Sequence, residues 1–208
     1  MFASPIIFKS WATTEGERRG VVLSRYGQAQ HQRKGDRVRA DLVAIGTELL
    51  LGQIVDTNSA WISQQLATLG IDHYFSTVVG DNLSRIREVL AQAHARSEVV
   101  ITTGGIGPTV DDVTRQAVAD IMGVELEFHQ HLLDHIEEIF RRAGYTETIP
   151  GNRQQAYIPA GAIILENPKG TAPAFIAQDN KGVIVSLPGV PHEMRYLIEA
   201  RVMPYLKE

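Results

Sequence analysis

From Asp41 onward the apolar residues follow two alternating rhythms. Short apolar runs predict strands: DLVAIG at 41–46, EVVIT at 98–102, AIILEN at 162–167, PAFIAQD at 173–179 and GVIVSLPG at 182–189. IDHYFSTVVG at 71–80, rich in β-branched and aromatic residues, predicts another strand, and VELEF at 124–128 alternates as an edge strand does. Between these runs the spacing becomes helical. TNSAWISQQLATLG repeats Ala60, Ile62, Leu66 and Leu69, with Asp56 or Thr57 placed to cap its start and Gly70 to end it. DNLSRIREVLAQAHARS sets Leu83, Ile86, Leu90 and Ala93 on one face. DVTRQAVADIMG predicts a helix from Asp112 to Gly123, and HQHLLDHIEEIFRRAG one with Leu132, Ile136, Ile139 and Phe140 inward. PHEMRYLIEARVMPYL closes the chain as a last helix.

Strands that alternate with helices imply an α/β protein with a mainly parallel sheet covered on both faces. The NKG turn at 180–182 adds an antiparallel hairpin to that sheet. Ligands of such sheets sit beyond the carboxyl ends of the strands. Three glycine-rich polar segments fall there: GTELLLG after the first strand, TTGGIGPTVDD after EVVIT, and PGVPHEM after GVIVSL.

Composition narrows the chemistry. The 208 residues contain no cysteine, which removes disulfides, thiolate metal sites and a cysteine nucleophile, and fits a reducing cytoplasm. No apolar run approaches the ~20 residues that span a bilayer. Residues 1–40 hold eight Lys+Arg and three Asp+Glu, a net of +5, whereas residues 41–208 hold twelve and twenty-one, a net of −9. An acidic body argues against a nucleic-acid surface. The basic leader, residues 1–40, lacks periodicity and is expected to be disordered and dispensable; it does not have the layout of a signal peptide.

In ITTGGIGPTVDDVT at 101–114 the glycines let backbone approach a ligand, and successive amides before a helix suit phosphate. Thr102, Thr103 and Thr109 add hydroxyl donors. One of Asp111 and Asp112 suffices to cap the helix. The second is not explained by capping, and a carboxylate beside a phosphate binds Mg²⁺ or another hard divalent ion. Asp56 is either an N-cap or a third metal carboxylate, and Asn58 can turn its amide into the same crevice. Glu48 lines the crevice or is solvated. NPKGTAPAF at 167–175 is a turn at the least, with Lys169 either near a phosphate or in solvent. His192 and Glu193 occupy the first turn of the last helix, where Glu193 complements the dipole or serves as a base. His131 and His135 have zinc spacing but lack the glutamate of HExxH and a third ligand, so a solvated helix face is expected.

Four segments, VAIGTELLLGQIVDTN at 43–58, TTGGIGPTVDDVT at 102–114, NPKGTAPAF at 167–175 and LPGVPHEM at 187–194, carry a resemblance. With their spacing, residues 41–208 resemble the molybdopterin-binding MoaB/Mog fold, most closely the N-terminal domain of the CinA competence/damage-inducible family. Ala174 departs from the glycine expected after TAP, adding a Cβ that would tighten the pocket. The resemblance implies a three-layer α/β/α fold and a site for a phosphorylated, nucleotide-like small molecule. It places ligand contacts at Thr103, Gly104, Gly105, Gly107, Thr109, Asn58, Asn167, Gly170, Thr171, Pro188 and Gly189. It makes Asp112 the principal catalytic and metal carboxylate, assisted by Asp111 or Asp56, with Mg²⁺, Mn²⁺ or Co²⁺ as cofactor. The implied activity is metal-dependent ADP-ribose hydrolysis to AMP and ribose 5-phosphate. Alternatives are molybdopterin binding or adenylylation, and a non-catalytic nucleotide-binding domain. The family also implies a homo-oligomer, dimer or trimer, and the charge and apolar pattern above lead us to expect neither nucleic acid nor membrane as partner.

Overall fold

The computed structural model describes residues 37–145 and 150–207. The expectations for residues 1–36 lie outside this range. Eight strands among the described residues form two sheets. Six of them are β1 (Arg39–Ile45), β2 (Asp72–Val79), β3 (Val99–Thr103), β6 (Ile163–Leu165), β7 (Ala174–Gln178) and β8 (Val183–Leu187). These make the main sheet, in the order β2-β1-β3-β8-β7-β6. β2, β1, β3 and β8 pair in parallel, and β7 pairs antiparallel with both β8 and β6. The hairpin expected at NKG is present: Asp179 Oδ1 accepts from the amides of Lys181 (2.8 Å) and Gly182 (3.1 Å).

The central strands are buried on both faces, which is why they read as unbroken apolar runs. A single helical turn, α1 (Thr47–Leu50), follows β1 and buries none of its residues. One face of the sheet packs Leu42, Ile101, Val185 and Leu187 against Ile62 and Leu66 of α2 (Thr57–Thr68) and against Leu197 of α6 (Pro191–Leu197). The other packs Val43, Val100, Phe175 and Ile184 against three helices. Ile86 and Leu90 come from α3 (Leu83–Arg96), Ala117 and Val118 from α4 (Thr114–Met122), and Leu132 and Leu133 from α5 (Gln130–Arg142). Helices on both faces of one sheet make the three-layer α/β/α arrangement.

Several boundaries differ from the expectation. β1 begins at Arg39, not Asp41, because the Arg39 backbone amide and guanidinium both bind Glu98, the latter at 2.7 Å. VELEF does not join the main sheet. Its residues Leu126–Phe128 (β4) pair antiparallel with Tyr157–Pro159 (β5) in a separate two-stranded ribbon. On α5, Leu133 is buried while Ile139 and Phe140 are half-buried. The last helix is interrupted: α6 passes into a π turn at Ile198–Val202 before α7 (Met203–Lys207). Pro204 accounts for this, since it has no N–H for the carbonyl one turn earlier and its ring crowds that carbonyl. Ala174 sits fully buried in the core at the start of β7, so its Cβ fills core space and does not narrow a pocket.

Candidate functional site

β3 ends at Thr103, and the backbone then turns through Gly104 (φ 96°) and Gly105 (φ 67°). Only glycine fits both places. A Cβ at Gly104 would strike the Ile45 carbonyl, and one at Gly105 would strike the Thr114 hydroxyl. The turn is pinned from several sides. The Gly104 amide donates to Leu187 O at 2.9 Å, Thr114 N donates to Gly105 O at 3.0 Å, and Thr114 Oγ1 donates to Gly104 O at 3.1 Å. A buried arginine fixes the rest. Arg115, 3% exposed, donates to Ile106 O and, through Nη2 at 2.8 Å, to Gly107 O. Burial lowers its pKa to about 10, and the nearby Asp112 charge opposes that fall. The N–H groups of Gly105, Ile106 and Gly107 donate to no acceptor among the described residues. The loop thus turns carbonyls to a buried cation and keeps a run of amides unpaired, as an anion-binding loop does.

Asp112 does not cap α4. The helix starts at Thr114 with Val113 as its N-cap and no side-chain cap. The Asp112 carboxylate instead folds back on the loop: Oδ2 accepts from Thr109 N at 2.8 Å and Thr109 Oγ1 at 2.6 Å. A Cβ at Gly107 would lie 2.8 Å from the same oxygen, so glycine admits the carboxylate there. Oδ1 carries no hydrogen bond among the described residues. Asp111 is exposed and its side chain is likewise unbonded.

The other loops close around this one. The loops after β3 and β8 nearly touch, since a Cβ on Gly189 would be 3.5 Å from Gly104 Cα. Pro188 is buried between Leu187 and Gly189. Asn58, 8% exposed, ties α2 to the β8 loop by donating from Nδ2 to Gly189 O at 2.8 Å, and its Oδ1 is buried without a partner. Asn167 donates to Glu193 Oε2 at 2.6 Å and to Ala172 O at 3.1 Å, and accepts from Lys169 N at 3.1 Å. The Glu193 carboxylate rests against Gly170, where a Cβ would overlap it.

A 3₁₀ segment at Pro150–Ala156 joins the two sides. Gln154 donates to Gly107 O at 3.4 Å and to Thr109 O, while Gln155 accepts from Thr171 Oγ1 at 3.2 Å and donates to Asn152 Oδ1 at 3.2 Å. Sequence reasoning misses both this segment and Arg115. The polar run NRQQ, between an amphipathic helix and an apolar pair, is the one signal that points to it.

Not every expected residue joins the cluster. Asp56 caps α2, its Oδ1 accepting from Ser59 N at 2.9 Å. Glu48 and Lys169 are exposed, Lys169 lying 5.7 Å from the Tyr196 ring. His131 and His135 are exposed on α5. No group of three or more His, Asp and Glu side chains able to hold a metal occurs among the described residues. Asp56, Asp111 and Asp112 therefore do not make one three-carboxylate cage. The free Oδ1 of Asp112 is a carboxylate oxygen of this loop that would suit a hard ion.

Comparison with known proteins agrees with this fold. The model of the family described as "Probable molybdopterin binding domain" matches residues 41–208. A "CinA-like protein" from Kosmotoga olearia is 48% identical over 170 residues, covering 81% of this chain and 41% of that relative. The crystal structure of the protein CinA, with unknown function, from Thermoplasma acidophilum is 32% identical with a TM-score of 0.74, covering 82% of this chain and 99% of that one. The molybdopterin biosynthesis enzyme MoaB from Thermus thermophilus, 18% identical with a TM-score of 0.53, covers 82% of this chain and 96% of its own and shares the fold. The chain belongs to the molybdopterin-binding domain family of MoaB/Mog fold, among its CinA-like members. It spans about two fifths of the length of the longer CinA-like relatives. No helix among the described residues is long and apolar enough to cross a membrane.

Proposed function

We propose that this domain hydrolyses the pyrophosphate of ADP-ribose or a related nucleotide, giving AMP and ribose 5-phosphate. One observation carries the reading: unpaired amides at Gly105–Gly107 lie in the same loop as a carboxylate, Asp112, that keeps one oxygen free. The amides receive phosphate oxygens, and the buried Asn58 carbonyl oxygen accepts from a hydroxyl or amino group of the ligand. Asp112 Oδ1 holds a divalent ion, Mg²⁺, Mn²⁺ or Co²⁺. When bound, that ion neutralises charge on the diphosphate. Water adds to one phosphorus, the bridging P–O bond breaks, and the bridging oxygen leaves on the other phosphate. Positioning and charge neutralisation supply most of the rate.

The test is product analysis with ADP-ribose and each of the three ions. AMP is expected with at least one of them, and no AMP with any of them would overturn the reading.

The family match favours a second reading, molybdopterin binding or adenylyl transfer to it, which uses the same loop. Calorimetry with the pterin and with ADP-ribose separates the two. A tenfold preference for the pterin, about 1.4 kcal/mol, would reverse the order.

A further inference from the structure

Arg115 has no place in the family motifs named above, yet it is the most deeply buried cation at the site. It is 3% exposed, and its guanidinium reaches the carbonyls of two consecutive loop residues, Ile106 and Gly107. A plain structural arginine at a helix start would pair with a carboxylate or point to water. This one pairs with neither. Asp112 is its charged neighbour and favours its charge through space, but the Asp112 Oδ2 is engaged by Thr109, and no hydrogen bond joins the two side chains among the described residues. A buried charge without a bonded counter-ion is costly. Burial pulls its pKa down only to about 10, so it remains charged near neutral pH. The residues it grips are the ones whose amides lack acceptors.

We propose that Arg115 is the positioning residue of the anion site: its buried charge is balanced by the bound phosphate, and its hold on Ile106 and Gly107 keeps the loop amides available to that phosphate. This rests on the reading of the loop as a phosphate site and adds where the compensating charge resides. Two demands follow. A cation must remain at this position for anions to bind well, and the loss of affinity must exceed what a neutral hydrogen-bonding side chain can restore.

The test uses inorganic pyrophosphate as the probe, by calorimetry on the full chain, with melting curves to confirm that each variant is folded. Arg115→Lys keeps the charge but not the fork, and Arg115→Gln keeps donors without charge. Wild type is expected to bind pyrophosphate, Arg115→Lys to stay within about threefold of it, and Arg115→Gln to weaken about tenfold or more, ~1.4 kcal/mol. A buried lysine loses its proton at lower pH than arginine, so the affinity of the Arg115→Lys protein should fall with rising pH while that of wild type holds. That comparison stands even where Arg115→Gln fails to fold. Equal losses in both variants, or a pH profile of Arg115→Lys that tracks wild type, would overturn the proposal and leave Arg115 a structural brace. Pyrophosphate binding with no AMP formed from ADP-ribose would leave this proposal standing and remove the hydrolase reading. Absence of pyrophosphate binding to wild type would overturn the anion site itself, and Arg115's role with it.

Discussion

Thr109 gives both its backbone amide, at 2.8 Å, and its hydroxyl, at 2.6 Å, to the same Asp112 oxygen, Oδ2. The carboxylate is thereby turned toward the glycine loop and away from the helix it precedes. One oxygen is spent on holding the loop's shape, and the other is left for a ligand.

Asp112→Asn separates these two uses. The amide oxygen can still accept from Thr109, so the loop and the melting temperature in metal-free buffer should change little. The free position loses its negative charge, and a neutral amide is a poor ligand for a hard divalent ion. Turnover of ADP-ribose should fall by about two orders of magnitude or more. Asp111→Asn, at an exposed and unbonded carboxylate, should cost much less. Near-normal AMP formation by the Asp112→Asn protein would remove the metal role, and a larger loss in Asp111→Asn would exchange the two assignments.

Gly170 and Glu193 should be energetically coupled. Gly170 is not in the left-handed region, so the effect of Gly170→Ala is one of space: its methyl group would overlap the Glu193 carboxylate and break the 2.6 Å bond from Asn167. A lost hydrogen bond of this kind costs about 1–2 kcal/mol. In a Glu193→Ala background the same change should cost less than half as much, because the obstacle is gone. Urea denaturation of the four proteins measures this, and additive losses would show that the contact does not govern the loop.

The alternation of strands and helices is open to sequence reading because a parallel sheet buried on both faces leaves continuous apolar runs, as in β3 and β8. The cap at Asp56 is only half open, since the sequence leaves N-cap and metal carboxylate as alternatives and the bond from Ser59 N is what shows the cap. The start of α4 is misplaced by sequence because Asp112 has a competing local partner in Thr109, and spacing does not show which of the two wins. β4 shows in the alternation of VELEF, but its partner β5, Tyr157–Pro159, is too short for period two to show, so the separate ribbon they form is hidden. Arg115 is hidden for a different reason. An arginine in a polar-looking helix start is normally solvated, and only the packing of the loop over it makes it a buried cation.

The N-terminal end of β1 rests on an ion pair that the apolar pattern conceals. Asp41 is fully buried and bound by Arg96 Nε at 2.7 Å, Arg96 Nη2 at 3.0 Å and Ser97 Oγ at 2.9 Å. Arg96 also stacks 4.0 Å from the Phe75 ring centre. Arg96→Met should cost about 3 kcal/mol or more, because it strands a buried carboxylate. Adding Asp41→Asn should return part of that loss, since the uncompensated charge is removed. A double variant less stable than Arg96→Met alone, in urea denaturation, would contradict this account.

Acid should weaken the fold through two carboxylates at the opposite end of the sheet from the candidate site. Burial acts to raise the pKa of Asp179, but hydrogen bonds from His94 and from the amides of Lys181 and Gly182 outweigh it, leaving a net value below the ordinary 3.8. Glu98 behaves alike: burial raises it, and the side chain and amide of Arg39 bring it below the ordinary 4.5. A folded-state pKa below the unfolded value means the unfolded chain binds protons first as pH falls. The contribution of each group is therefore complete above its ordinary value and is lost as pH drops through the folded value. Asp179→Asn and Glu98→Gln should lower stability near neutral pH and flatten its decline below about pH 4. Denaturation midpoints measured from neutral to acid pH report both effects. An acid limb as steep in the double variant as in wild type would place the acid-sensitive groups elsewhere.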